Sequence, residues 1–189
     1  MSDKSVEFKE PGRLITWIKY LLYVQVALAL MILILKWIYQ SNQNARYLGA
    51  KDMAFTPAWS IGFYFIPIVS LWKPYQAMKE IWQASQNPNN WQLEKVSSIL
   101  GVWWFFWIAN SMVGQAVFRV SRRAQEISEI MNVNLISQVS EILSIPLAVV
   151  TWLLINKISN TQKAQRDYNL EQAEASDVSE DSGIQGAQL

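Results

Sequence analysis

Four long stretches of the chain carry no charged side chain. An α-helix needs about 20 mostly apolar residues to cross the hydrocarbon core of a bilayer. The stretches hold sixteen, twenty, twenty-three and fifteen residues, and they lie between Lys19 and Lys36, Asp52 and Lys73, Lys95 and Arg119, and Glu141 and Lys157. The pattern predicts an all-α, polytopic integral membrane protein with four transmembrane helices, at about 14–39, 55–73, 96–118 and 138–158.

The two ends of the chain differ from the four-span membrane domain predicted for 14–160. Residues 1–13 are polar and mixed in charge, and they predict a short N-terminal arm. Residues 161–189 are polar, and 171–189 hold five acidic residues, no basic residue and no aromatic residue. Such a composition buries little apolar surface, so we expect a disordered C-terminal tail.

The second apolar run contains helix-breaking residues. Gly62 and Pro67 lie inside it and Pro74 closes it. Proline removes a backbone donor and clashes with the preceding turn, so we expect a break between Phe63 and Ser70. Two shapes fit this pattern, a proline-kinked span and a re-entrant segment, and the distribution of basic residues favours the kinked span.

A short helix is predicted directly after this run, at about 74–86. Tyr75, Met78 and Trp82 recur there at helical spacing among polar residues. An amphipathic helix of this kind can lie in the plane of the membrane interface. The alternative is a helical extension of the second span into water, and the sequence does not decide between them.

The amino-acid composition excludes several classes of catalytic and metal-binding site. Hydrophobic residues make up 51% of the chain and charged residues only 16%, against about 25% charged in soluble proteins. Without cysteine or histidine, the chain has no thiolate or imidazole to act as a nucleophile, base or metal ligand. The net charge of +1 gives no case for nucleic acid. We therefore expect a protein that is not an enzyme and that has no cofactor and no metal.

Two sets of residues are candidates for function. The third predicted span carries the polar residues Asn110, Ser111 and Gln115. Polar side chains at membrane depth face other helices or a water-filled path, so this set indicates either interhelical hydrogen bonds or a pathway. The second set could line a groove at a broken helix or anchor it at the interface, and it comprises Trp59, Gly62, Pro67, Trp72, Pro74 and Trp82.

Basic residues predict the orientation. With four spans, ten of the sixteen Lys and Arg residues fall on the side of the two termini and six on the other side. Cytoplasmic loops carry an excess of Lys and Arg, so both termini are expected in the cytoplasm. A re-entrant second run would change this division to seven and nine.

Several aromatic and proline residues occur in a recognisable order. They are Phe55-Thr56-Pro57-Ala58-Trp59, Gly62, Phe65, Pro67, Leu71-Trp72, Pro74, Glu80-Ile81-Trp82, Trp91, Trp103-Trp104, Trp107 and Ile158-Ser159-Asn160-Thr161-Gln162. Over roughly 15–165 the chain resembles the bacterial membrane protein family called domain of unknown function 4328. The resemblance implies a multi-span helical protein of the bacterial cell (inner) membrane. It implies no biochemical activity, because none is established for the family.

The sequence is compatible with two functions. The first is a non-enzymatic membrane component that sits in the lipid bilayer and binds a protein or lipid partner. The second is a subunit of a small oligomeric transporter or channel that uses the polar face of the third span. A homo-oligomer fits either one.

Overall fold

The computed structural model describes residues 11–121 and 127–186, and the side chains of 14–120 and 138–176. Every regular element within those ranges is helical. The α-helices are α1 (Pro11–Tyr47), α2 (Pro57–Gly62), α3 (Lys73–Gln86), α4 (Ser98–Ser121) and α5 (Ile127–Gly186), and the 3-10 segments are Phe63–Phe65, Val69–Leu71 and Pro88–Leu93. The chain divides into two compact units, residues 1–38 and 39–189.

The first unit contains most of α1, and this part of the helix is apolar on all sides. Every side chain from 14 to 34 is exposed. A helix that is hydrophobic all round belongs in a core or a membrane. Two segments of the described chain are long and apolar enough to cross a membrane, Leu14–Tyr47 in α1 and Gln138–Ser176 in α5.

The last turns of α1 belong to the second unit. The helix ends in a left-handed cap at Gly49, whose φ is 109°. The Gly49 and Ala50 amides donate to the carbonyls of Arg46 and Ala45, each at 3.0 Å. This bond pair is the Schellman motif, which glycine adopts without the steric cost that a Cβ brings.

The second apolar run folds as a hairpin. Thr56 caps α2 by accepting a bond from the Trp59 amide at 3.3 Å, and Pro57 occupies the first helical position, where a missing N–H costs nothing. α2 ends at Gly62, and a 3-10 turn leads to Ile66, whose backbone is extended. The chain then returns through Val69–Leu71 into α3, which contacts α2. We call residues 57–72 the hairpin.

The two ends of the hairpin lie side by side. The Lys73 ammonium is 5.1 Å from the centre of the Phe55 ring. A segment that crosses the membrane separates its ends by about 30 Å. The break lies between Phe63 and Ser70, as the prolines predict, but it reverses the chain. The geometry therefore fits the re-entrant alternative and not the kinked span expected at 55–73.

Helix α3 is the centre of the second unit. Nine of its fourteen residues are buried, among them Ala77, Met78, Ile81 and Trp82. The bounds agree with the helix expected at 74–86, but most of its side chains are covered by protein. Side chains from the end of α1, from the loop that follows it, and from α4 and α5 complete the core around it, namely Ala45, Ala50, Met53, Leu100, Trp103, Leu154 and Ile158. We call residues 39–56, 73–103 and 154–165 the head.

Helices α4 and α5 form the most extensive helix pair of the second unit. They join the head at one end, where Trp103 and Leu154 are buried. Away from it their outer faces are apolar and exposed, as at Phe105 and Val149. α4 also packs against the hairpin, because the Tyr64 and Trp107 rings meet edge to face at 5.4 Å.

The C-terminal segment differs from its prediction. α5 continues as a helix to Gly186, where a disordered tail was expected beyond 160. Residues 147–189 hold no proline and contain five Gln, five Ala and three Glu residues. These residue types favour the α-helix, so the segment keeps a preference for helix although it has little apolar surface to pack against the rest of the protein.

Candidate functional site

A buried carboxylate holds the base of the hairpin. Glu80 projects from the middle of α3 and is 5% exposed. Its two oxygens accept bonds from the backbone amides of Ala54 and of Phe55, the latter at 3.0 Å. A carboxylate that accepts two amide bonds satisfies donors that a turn leaves unpaired. The segment that leads into α2 is thereby fixed on α3.

Arg46 binds the same segment through its backbone carbonyls. Its guanidinium donates to the Met53 carbonyl at 3.2 Å and to the Phe55 carbonyl at 3.0 Å. It also donates to the Asn42 amide oxygen at 3.0 Å. Arg46 and Asn42 are four residues apart on α1, which places them on one face of the helix.

Asn42 completes this network with its amide nitrogen. It donates to the Phe55 carbonyl and to the Ser60 hydroxyl, both at 2.9 Å. Ser60, which is fully buried in α2, donates in turn to the Thr56 carbonyl at 3.1 Å. The start of the hairpin is therefore bonded to α1 and α3 together, and its direction is set by the head.

Burial governs the electrostatics of Glu80. Loss of solvent raises the pKa of its carboxyl group, because burial disfavours the charged form. The amide bonds from Ala54 and Phe55 and the positive charge of Arg46 act in the opposite direction, and the raised pKa is the net result.

A second polar cluster joins three helices at Gln162. Its side-chain nitrogen donates to the Ser41 carbonyl and to the Ser85 hydroxyl, both at 2.8 Å. Its oxygen accepts from the Asn44 amide at 3.4 Å. Gln162 is buried on α5, so these bonds connect α5 to α1 and α3. Buried polar groups that are fully bonded specify one arrangement of the elements that carry them.

The polar residues predicted on the third span do not share one environment. Asn110 is half-buried and its amide oxygen accepts from the Ser140 hydroxyl of α5 at 3.0 Å. Ser111 is half-buried as well. Gln115 is exposed on the outer face of α4. The structure therefore places Asn110 at the helix pair and Gln115 outside it.

The predicted groove residues are also separated by the fold. Pro74 and Trp82 lie in the core of the head. Trp59, Pro67 and Trp72 are exposed on the hairpin. Gly62 lies against the Trp59 ring, where an added Cβ would be 3.4 Å from the nearest ring atom. The Trp82 ring has its own polar neighbour, because the Lys157 ammonium lies 5.4 Å from its centre.

Sequence reasoning did not select the residues that make the two polar clusters. The sequence pattern gave no functional role to Asn42, Arg46, Ser60 or Glu80. Their only signals were the spacing of Asn42 and Arg46 and the occurrence of Glu80 and Gln162 among the residues that carry the family resemblance. Within the described residues, no group of three or more acidic side chains is placed to hold a metal ion.

The comparison with family models identifies the class of protein. The model described as "Domain of unknown function (DUF4328)" matches residues 11–160. The match covers most of the chain, so the chain belongs to this family, as its aromatic and proline residues indicated. No curated protein and no solved structure matches the chain.

Proposed function

We propose that this chain is an integral membrane protein that crosses the bilayer three times and presents a rigid, non-enzymatic docking platform, the head, at the membrane surface. The observation that carries this proposal is the closed base of the hairpin, where Lys73 meets the Phe55 ring at 5.1 Å. Because that run returns to its starting side, α1, α4 and α5 are left as the crossing helices.

The exposed surfaces of these helices support their placement in lipid. The apolar part of α1 is uncovered from 14 to 34, and α5 exposes Ile142, Ile145, Val149 and Trp152 on its outer face. Contiguous apolar surface of this extent is unfavourable in water and is typical of membrane or partner contact.

We assign the third crossing to α4. It has 24 residues, which corresponds to a length of about 36 Å. No charged residue occurs between Lys95 and Arg119. Its outer face exposes Val102, Phe105 and Met112. It carries Trp103, Trp104 and Trp107 near the head, and tryptophan is favoured at membrane interfaces.

Three crossings place the two termini on opposite sides of the membrane. The head side then holds nine of the sixteen basic residues, namely Lys36, Arg46, Lys51, Lys73, Lys79, Lys95, Lys157, Lys163 and Arg166. The bias of basic residues to the cytoplasm favours a cytoplasmic head and C-terminus. The expectation of two cytoplasmic termini depended on four crossings and is replaced by this arrangement.

The use of the polar side chains supports a platform rather than a pathway. The buried polar side chains form hydrogen bonds with other parts of the same chain, as at Glu80, Arg46 and Gln162. Asn110, one of the three candidates for a polar pathway, bonds across the helix pair to Ser140. Interhelical bonds of this kind are ordinary in membrane proteins. The transporter alternative therefore loses its main support.

The outer surface of the head offers a place for a protein partner. Leu93 is 84% exposed and Tyr47 is 79% exposed. The loop after Tyr47 is bonded to the Pro88–Leu93 segment, because the Trp91 ring nitrogen donates to the Lys51 carbonyl at 2.8 Å. Large apolar side chains that are exposed on a rigid surface are the usual anchors of protein interfaces.

A photo-crosslinking residue at Leu93 tests the platform in intact membranes. We expect a discrete crosslinked species from Leu93, and no such species from the matched position Val149, which faces lipid on α5. Diffuse lipid adducts at both positions, with no discrete protein adduct at Leu93, would contradict the proposal.

A further inference from the structure

We infer that the tip of the hairpin, residues 65–71, inserts into the interfacial layer of the bilayer on the head side without crossing it. This inference rests on the proposed membrane placement of α1, α4 and α5. It gives the hairpin a binding partner, which is the lipid surface, and it gives the depth to which the tip enters the bilayer.

The tip presents a continuous apolar surface. Phe65 is 64% exposed and Ile68 is 70% exposed, and Ile66 and Leu71 are exposed beside them. No charged residue occurs between Asp52 and Lys73. Removal of such large apolar side chains from water is favourable. Transfer of the tip from water into the lipid surface is therefore favourable.

The length of the hairpin limits its reach. Six α-helical residues from Pro57 and three 3-10 residues to Phe65 extend about 15 Å, at about 1.5 and 2.0 Å per residue. The hydrocarbon core is about 30 Å thick. The tip can enter one leaflet only.

The backbone of the tip keeps it shallow. Ile66 is extended, with φ −98° and ψ 110°, and Pro67 has no amide hydrogen. Irregular backbone exposed to hydrocarbon has no hydrogen-bond partner and is not found there. The interfacial layer still contains water, so it is the depth at which the apolar side chains are covered and the backbone remains solvated.

The flanks of the hairpin fit this depth. Trp59 and Trp72 are both exposed, and tryptophan favours the level of the headgroups. Lys73 ends the run with its ammonium beside the Phe55 ring. A lysine at this position can keep its charge among the headgroups while its stem covers apolar surface.

The base of the hairpin makes insertion possible without refolding. Ser60 is bonded to Asn42, and the Phe55 amide is bonded to Glu80, so the hairpin keeps a fixed direction from the head. The exposed tip residues take no part in these bonds. Substitutions at the tip should therefore change lipid contact and leave the head folded.

Depth-dependent fluorescence quenching tests the inference in the full chain. The chain has no cysteine, so Ile68→Cys, Leu93→Cys and Val149→Cys can each carry one environment-sensitive fluorophore. The vesicles are phosphatidylcholine with phosphatidylglycerol, and nitroxides are placed on the headgroup, near the top of the acyl chain or near its end. Iodide reports access from water.

We expect the probe at Ile68 to be quenched most by the nitroxide near the top of the acyl chain, and less by iodide than the probe at Leu93. The probe at Val149 should respond most to the nitroxide near the chain end. Phe65→Cys provides a second tip position and should repeat the result of Ile68→Cys.

Three results would overturn the inference. Quenching of Ile68 by iodide to the level of Leu93 would place the tip in water. Strongest quenching by the deep nitroxide would place it at crossing depth, and protection from iodide and all nitroxides would mean that protein covers it. If Val149 itself responds to iodide like Leu93, the membrane placement of α5 fails, and this result is distinct from failure at the tip.

Discussion

The Lys73 ammonium lies 5.1 Å from the centre of the Phe55 ring, although the two residues are eighteen positions apart. A straight helix of that length would separate them by about 27 Å. The cation–π contact itself contributes about 0.5–1 kcal/mol at an exposed site. The contact therefore marks the closure of the hairpin, and the buried bonds of Glu80 and Arg46 maintain it.

Glu80→Ala should destabilise the head more than any other single change at the hairpin base. It leaves the Ala54 and Phe55 amides without their acceptor, and the expected cost is roughly 3 kcal/mol. Glu80→Gln keeps one acceptor oxygen and should cost less. Thermal unfolding of the purified protein in detergent measures both, and equal losses for the two variants would show that the amide bonds are not the cause.

Glu80 should also make stability depend on pH. Its folded pKa is raised above the ordinary value of 4.5, so the folded state holds the proton more tightly than the unfolded state. The contribution is fully present below 4.5 and is lost as the pH rises through the folded pKa. The stability of the wild-type protein relative to Glu80→Gln should therefore fall as the pH rises over this window. A rise instead would mean that Arg46 and the amide bonds outweigh burial.

Gln162→Leu should separate α5 from the rest of the head. The buried Ser41 carbonyl and Ser85 hydroxyl lose their donor, and we expect a loss of roughly 2 kcal/mol. The neighbouring Lys163 is exposed, so Lys163→Leu is the matched control and should change stability by no more than about 0.5 kcal/mol. A neutral Gln162→Leu would show that the cluster is not needed to join the helices.

The two polar residues of α4 should respond differently to replacement by leucine. Asn110→Leu removes the bond to Ser140, and interhelical bonds of this kind contribute about 0.6 kcal/mol on average. Gln115→Leu removes an exposed amide and should cost nothing in unfolding experiments in detergent. A larger loss for Gln115→Leu than for Asn110→Leu would contradict the placement of these side chains.

The sequence was sufficient for features that depend on local pattern. Apolar length predicted α1, α4 and the apolar part of α5, and Pro74 together with helical spacing predicted α3 within a residue of its bounds. The prolines also predicted the break at 63–70. These features follow from backbone chemistry and side-chain spacing within one segment.

Features that depend on contacts between segments could not be predicted in this way. A kinked span and a hairpin have the same local sequence, and the choice depends on bonds from Glu80 and Asn42 to residues that are 26 and 13 positions away. Likewise, the helical periodicity of α4 places Asn110 and Gln115 on adjoining faces, but only the position of α5 decides which face is covered.

Cysteine labelling at Tyr47 and Leu93 is the most direct measurement of the three-crossing topology. Both side chains are exposed, and Tyr47→Cys and Leu93→Cys each give the cysteine-free chain one thiol. With a cytoplasmic head, a membrane-impermeant thiol reagent should label neither position in intact cells and both after lysis. Labelling of both before lysis would invert the orientation and keep the hairpin. Labelling of one position but not the other would show that residues 55–73 cross the membrane, and would contradict the account.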